Sequence, residues 1–175
     1  MPLLDLTDRE GGFVAVPAGR YKATIMEAEE RHTGGGGKMP EGTPMIAIQW
    51  RLDEALFDWP ETVDDFNAEG ELVPVDAPSL ENRRVFSSHV IPPKEAVNYK
   101  MMNGMLFRML EAIGYSKEEL ASGNFELDYE DMKSREALLT VTRETYTDPD
   151  TEEKVLQNRV KAIKAAGAAA SSGIL

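Results

Sequence analysis

The sequence predicts a mainly β domain of five strands, with one helix between the third and the fourth. Three observations predict it. Five segments alternate apolar and polar residues with period two, the pattern of half-buried strands. One segment, Val97 to Gly114, instead repeats its apolar residues at helical spacing. The stretch 53–81 keeps neither period and holds Pro60, Pro74 and Pro78, so it reads as an insertion between the second and third strands. The 175 residues and 42% hydrophobic content suit one domain with its own core.

Residues 1–16 form a short lead-in, and Pro17-Ala18-Gly19 is a turn signal. From Arg20, Tyr21, Ala23 and Ile25 share one face, opposite Lys22, Thr24 and Met26. This first strand runs to about Thr33. Gly34–Gly37, followed by Lys38, Pro40 and Gly42, reads as a flexible loop. Met45–Leu52 is the second strand, with Ile46, Ile48 and Trp50 on the core face. Within 53–81, Leu56, Phe57, Trp59, Val63 and Phe66 suit a short docked turn and no long element. Arg83–Ile91 is the third strand, apolar in part on both faces.

Pro92-Pro93 opens the helix, because proline is tolerated at a first helical position. Val97, Met101, Met105, Met109 and Ile113 follow at four-residue spacing and read as a core stripe, closed by Gly114. Ser116-Lys117-Glu118-Glu119 is a capping box for a second, short helix. Glu136–Tyr146 and Val155–Ile163 are the fourth and fifth strands, joined by the turn Thr147–Thr151. Residues 165–175 are rich in Ala, Gly and Ser and read as a loose tail. This order matches a five-stranded Greek-key barrel of the oligonucleotide/oligosaccharide-binding (OB) type. The domain is expected over 17–164, with 53–81 as an acidic insertion.

The formal charge of −12 is unevenly spread. Residues 53–81 hold ten acids and residues 118–131 six, neither with a Lys or Arg. The remainder carries 15 acids against all 19 bases, a net of +4. Local charge governs short-range attraction, so the overall sign does not exclude a phosphate backbone.

Composition excludes several chemistries. Without cysteine there is no disulfide, iron–sulfur cluster or thiolate zinc site. No apolar run approaches the ~18 residues that span a bilayer. The start of the chain lacks a basic region followed by an apolar stretch, so a cytoplasmic protein is expected. His32 and His89 have no partners at metal-ligand spacing, and no nucleophile-elbow pattern occurs. Gly37-Lys38 fails as a phosphate loop, because Met39 follows it and a strand comes next. No enzymatic activity, cofactor or metal is expected.

The basic residues are informative. Lys22, Arg31, Arg51, Arg84, Arg143, Arg159 and Lys161 lie on or beside strands. Phe86 and Tyr146 stand near them, and Lys38 sits on the glycine loop. Single-strand binders combine such cations with aromatic faces on which bases stack.

Four stretches carry a family resemblance. They are Val16-Pro17-Ala18-Gly19-Arg20-Tyr21-Lys22-Ala23-Thr24-Ile25, the glycine loop with Met45–Leu52, Asn82-Arg83-Arg84-Val85-Phe86 leading into the helix, and Gln157-Asn158-Arg159-Val160-Lys161. The chain resembles a phage family of single-stranded-DNA-binding-like proteins. Asn82 stands where that family's pattern has glycine. The resemblance implies an OB barrel that binds single-stranded DNA, without strong sequence preference, in phage replication or recombination within the host cytoplasm. Lys22, Arg31, Lys38, Arg51, Arg84, Arg143, Arg159 and Lys161 are then expected at phosphates, with Phe86 and Tyr146 stacking on bases. Segment 53–81 is expected to mimic DNA and compete for the groove. The alternative is an interaction module on the same barrel, binding a replication or recombination protein or a second copy of itself.

Overall fold

The computed structural model describes residues 14–35 and 39–167. Its elements in chain order are β1 (Gly19–His32), β2 (Pro44–Ala55), β3 (Thr62–Phe66), β4 (Leu72–Asp76), β5 (Arg84–Val90), α1 (Tyr99–Ala112), α2 (Lys117–Ala121), α3 (Tyr129–Met132), β6 (Glu136–Thr147) and β7 (Lys154–Ala165). Five strands form one sheet in the order β5-β2-β1-β6-β7, with every neighbouring pair antiparallel. The three helices lie between β5 and β6 in the chain. The edge strands β5 and β7 approach each other but share no ladder, so the sheet is not closed.

β1 is central and irregular. Ile25 pairs with Trp50 and Glu27 with Gln49, which leaves Met26 as an extra residue. An extra residue reverses the side-chain alternation and bends the strand. Tyr21, Ala23 and Ile25 are buried before it, and Ala28 after it. A second irregularity leaves Asp53 of β2 unpaired opposite Lys22 and Ala23. The buried faces of β1, β2 and β6 meet in one core, in which Tyr21, Ile25, Ile46, Ile48, Trp50, Leu139 and Val141 are fully enclosed.

The segment 53–81 holds more structure than its prolines suggest. It contains the hairpin β3–β4, turning at Asn67–Gly70, where Gly70 takes φ +77°. Pro74 pairs with Asp64 on a strand whose other edge has no partner, where proline's missing N–H breaks no ladder. Aromatic rings root the segment on the sheet. Phe57 and Trp59 pack edge-on against Tyr21, with ring centroids 5.3 and 6.3 Å away. The Tyr21 hydroxyl donates to the Pro17 carbonyl at 2.5 Å, and burial pushes its phenol pKa up.

Helix α1 starts later than its prolines suggest. Pro92–Asn98 form turns, closed by bonds from Ala96 N–H to Pro93 and from Tyr99 N–H to Ala96. The apolar stripe is a core stripe only at its C-terminal end, where Met109, Leu110 and Ile113 are buried. Val97 is 100% exposed, Met101 60% and Met105 57%. Periodicity reports that a helix has an apolar face, not that anything covers its whole length. After α1, Gly114 (φ +107°) reverses the chain, and the Arg135 guanidinium lies 3.9 Å over the Tyr115 ring. Arg135 also donates to the Ile113 carbonyl at 3.2 Å and pairs with Asp131 at 2.9 Å, tying the helix end to β6. The capping box at Ser116 forms with both of its bonds.

Gly19 allows the aromatic root, because a Cβ there would overlap the Phe57 ring. Gly19→Ala should therefore lower stability by about 1–3 kcal/mol through overpacking, measured by urea unfolding. An unchanged midpoint would mean that Phe57 is free to move aside.

Candidate nucleic-acid interface

Strand pairing sorts the candidate residues. On the solvent face of the sheet, Arg84 of β5, Arg51 of β2 and Thr24 of β1 form one cross-strand row. Phe86, Gln49 and Glu27 form the next. Phe86 is 64% exposed, a large ring standing on an open sheet. Its register neighbour's amide accepts from Arg84, Nη1 to the Gln49 Oε1, at 3.2 Å. Beyond it a shallow depression of about 340 Å³ is lined by Phe86, Ser88, Ala47, Glu27, Glu29 and Arg31 among others. The third strand's orientation is thus resolved: Val85 faces the core and Phe86 faces out.

Two other arginines of this face are held by carboxylates. Arg31 meets Glu29 at 2.5 Å, and Arg51 meets Asp53 at 2.7 Å. Asp53 is the unpaired residue of β2, and it also accepts from the Thr24 hydroxyl at 2.5 Å. Exposed pairs of this kind contribute roughly 0–1 kcal/mol, so a phosphate can displace them.

A second group lies on the β6–β7 arm. Gly19 pairs with Val141, so the residues of β6 after Val141 extend past the start of β1. Tyr146 pairs with Val155 near the tip, both about half exposed. Arg159 pairs with Thr142 and bridges to Glu144 at 3.3 Å. Lys161 is the extra residue of β7, because Val160 pairs with Val141 and Ala162 with Thr140. Arg143 differs from the rest. It shares the alternation of the core residues Leu139 and Val141, is only partly exposed, and donates to the Asp64 carbonyl of β3 at 2.6 Å. Its Nε is buried without a partner. Arg143 thus anchors the acidic hairpin, which rests on β7 and leaves Phe86 uncovered. Lys22 lies between the groups, flanked by Glu54 and Leu138. Lys38 lies outside the described residues.

No protein-family model matches this chain, and no curated protein matches it either. Among the described residues, no helix is long and apolar enough to cross a membrane.

Sequence reasoning missed a polar chain behind Phe86. The Trp50 indole N–H donates to the Ser87 hydroxyl at 2.9 Å, and that oxygen lies 2.9 Å from His89 Nε2. The signal was present, because Ser87 and His89 alternate with Phe86 and Ser88. Burial lowers the His89 pKa from 6.5 to about 4, so the imidazole is neutral at pH 7. As the pH falls, the unfolded chain takes up this proton first. The stabilisation is complete above about pH 6.5 and is lost progressively down to about pH 4. Between pH 7 and pH 5 this one group should cost about 2 kcal/mol of stability. Urea midpoints of His89→Gln should show a correspondingly shallower acid loss. Parallel pH profiles would contradict a buried neutral His89.

Proposed function

We propose that this protein binds single-stranded DNA, without strong sequence preference, on the solvent face of β1, β2 and β5. The observation that carries the proposal is Phe86. Its ring stands exposed on the outer face of the edge strand β5, beside Arg84 and one row from Arg51. A base stacks on the ring while the guanidinium groups take the flanking phosphates. Strand order supports the reading. β5-β2-β1-β6-β7 is the neighbour order of an OB-type barrel left open between its third and fifth strands, and the corresponding face of that fold binds oligonucleotides. The β6–β7 arm, with Tyr146 and Arg159, extends the track. The hairpin carboxylates stand beside that arm, so their competition with a strand falls there and not on Phe86. The family resemblance supplies the setting, phage replication or recombination in the host cytoplasm, with a binding and not a catalytic role.

A second reading, a module for a replication or recombination protein or for a second copy, is favoured by one observation. Met101 and Met105 of α1 are more than half exposed, and Val97, just before the helix, is fully exposed.

A salt titration with a fluorescein-labelled oligo(dT) separates the two. DNA binding predicts an affinity that falls linearly with salt on logarithmic axes. Phe86→Ala should weaken binding roughly tenfold or more, the range for one stacked base. Arg84→Ala should reduce the salt slope by about 0.7, the value for one phosphate contact on a single strand. An absence of binding at low salt, or a Phe86→Ala variant that binds like the parent, would overturn this reading in favour of the protein module.

A further inference from the structure

The seam between the two sheet edges is a groove of about 430 Å³, bounded by β5, α1 and β7. Met102, Met105, Leu106, Met109, Val160 and Ile163 make it apolar, and Arg108 and Lys161 stand at it as cations. Among the described residues that line it there is no carboxylate, although the chain carries −12. No Phe, Tyr or Trp lines it among the described residues, and its one ring, the His89 imidazole, is tied to the Ser87 hydroxyl. Methionine side chains adapt instead to aliphatic groups of irregular shape. The groove therefore suits an aliphatic segment that carries negative charge.

We propose that the occupant is the start of the same chain, with Leu3, Leu4 and Leu6 in the methionine groove and Asp5 and Asp8 toward Arg108 and Lys161. Two independent observations favour this segment. The first is composition: residues 1–13 combine those three leucines with Asp5, Asp8 and Glu10 against a single Arg9. The second is the tether. Val16 N–H donates to Asn158 Oδ1 at 2.8 Å, and Asn158 Nδ2 donates to the Val16 carbonyl at 2.9 Å. The chain thus enters the core clamped to β7, two residues from Val160 at the groove. From Val16, Leu6 reaches up to about 33 Å in extended chain. The strand path from Asn158 to Lys161 is only about 10 Å. Reach is ample, and a short tether raises the local concentration of the segment at the groove. The inference is independent of whether the outer face binds DNA.

The chain has no cysteine, so engineered pairs report without background. In the full-length chain, the pair Leu4→Cys with Met105→Cys tests the groove. The pair Leu4→Cys with Asp150→Cys is the control, because Asp150 lies at the β6–β7 turn, in the opposite direction along β7. In a glutathione buffer, the groove pair should form its intrachain disulfide at least tenfold faster than the control. Adding Arg108→Glu and Lys161→Glu should remove most of that advantage. Equal rates for the two pairs would overturn the proposal, and so would a groove pair that closes mainly between chains. Should the cysteine variants fold poorly, methionine-methyl NMR gives the same answer. Deleting residues 2–13 should shift the Met102 and Met105 signals, whereas unmoved signals would contradict the proposal.

Discussion

The extra residue at Met26 is the constraint on which the sheet depends. β1 pairs with β2 along most of its length and with β6 through its first half, so it has to serve two neighbours. A regular strand would keep one set of side chains inside throughout. The bulge lets Tyr21 and Ile25 fill the core at one end and Ala28 at the other, while the strand bends. That bend brings β5 and β7 near each other without pairing them. Two features follow from it: an outer face on which Arg84, Arg51 and Phe86 are aligned, and a methionine-lined seam. Tyr21, just before the bend, carries the aromatic root of the acidic hairpin as well.

Much of the sheet was legible because period two is a physical consequence of the pleat. Trp50 shares the parity of Ile46 and Ile48 and is buried with them. The capping box at Ser116 was legible for a similar reason, since its two bonds are local. The failures are equally physical. Phe86 and Val85 are both apolar, so alternation alone could not orient β5. The hairpin β3–β4 was hidden by Pro74, which reads as a breaker unless the strand is known to lie at an edge. The start of α1 was misplaced because Pro92 and Pro93 fit turns as well as a first helical position. The uncovered half of its stripe depends on which neighbour is near, and no local pattern encodes that.

Charge illustrates a third kind of limit. Subtracting the two acidic segments leaves a body of +4, which permits a phosphate-binding surface without locating one. The structure locates those bases. Arg31, Arg51 and Arg159 each sit against a carboxylate close by, and Arg143 is given to the hairpin backbone. Counting charges along the chain could not show this, because pairing depends on which face of a strand each side chain takes. The face around Phe86 is therefore close to neutral, with cations held ready by weak, exchangeable pairs. In the proposed binding mode such a face would rely on stacking for affinity and on exchange of ion-pair partners for its salt dependence.

The central claim, that Phe86 is where a single strand meets this sheet, is tested most directly by photocrosslinking. An oligodeoxynucleotide carrying 5-iodouracil forms adducts with aromatic rings on which it stacks, and the modified peptide is located by mass spectrometry. The account predicts the principal adduct on Phe86. Adducts confined to Tyr146 or to the rings rooting the acidic hairpin, or no adduct with DNA bound, would contradict it.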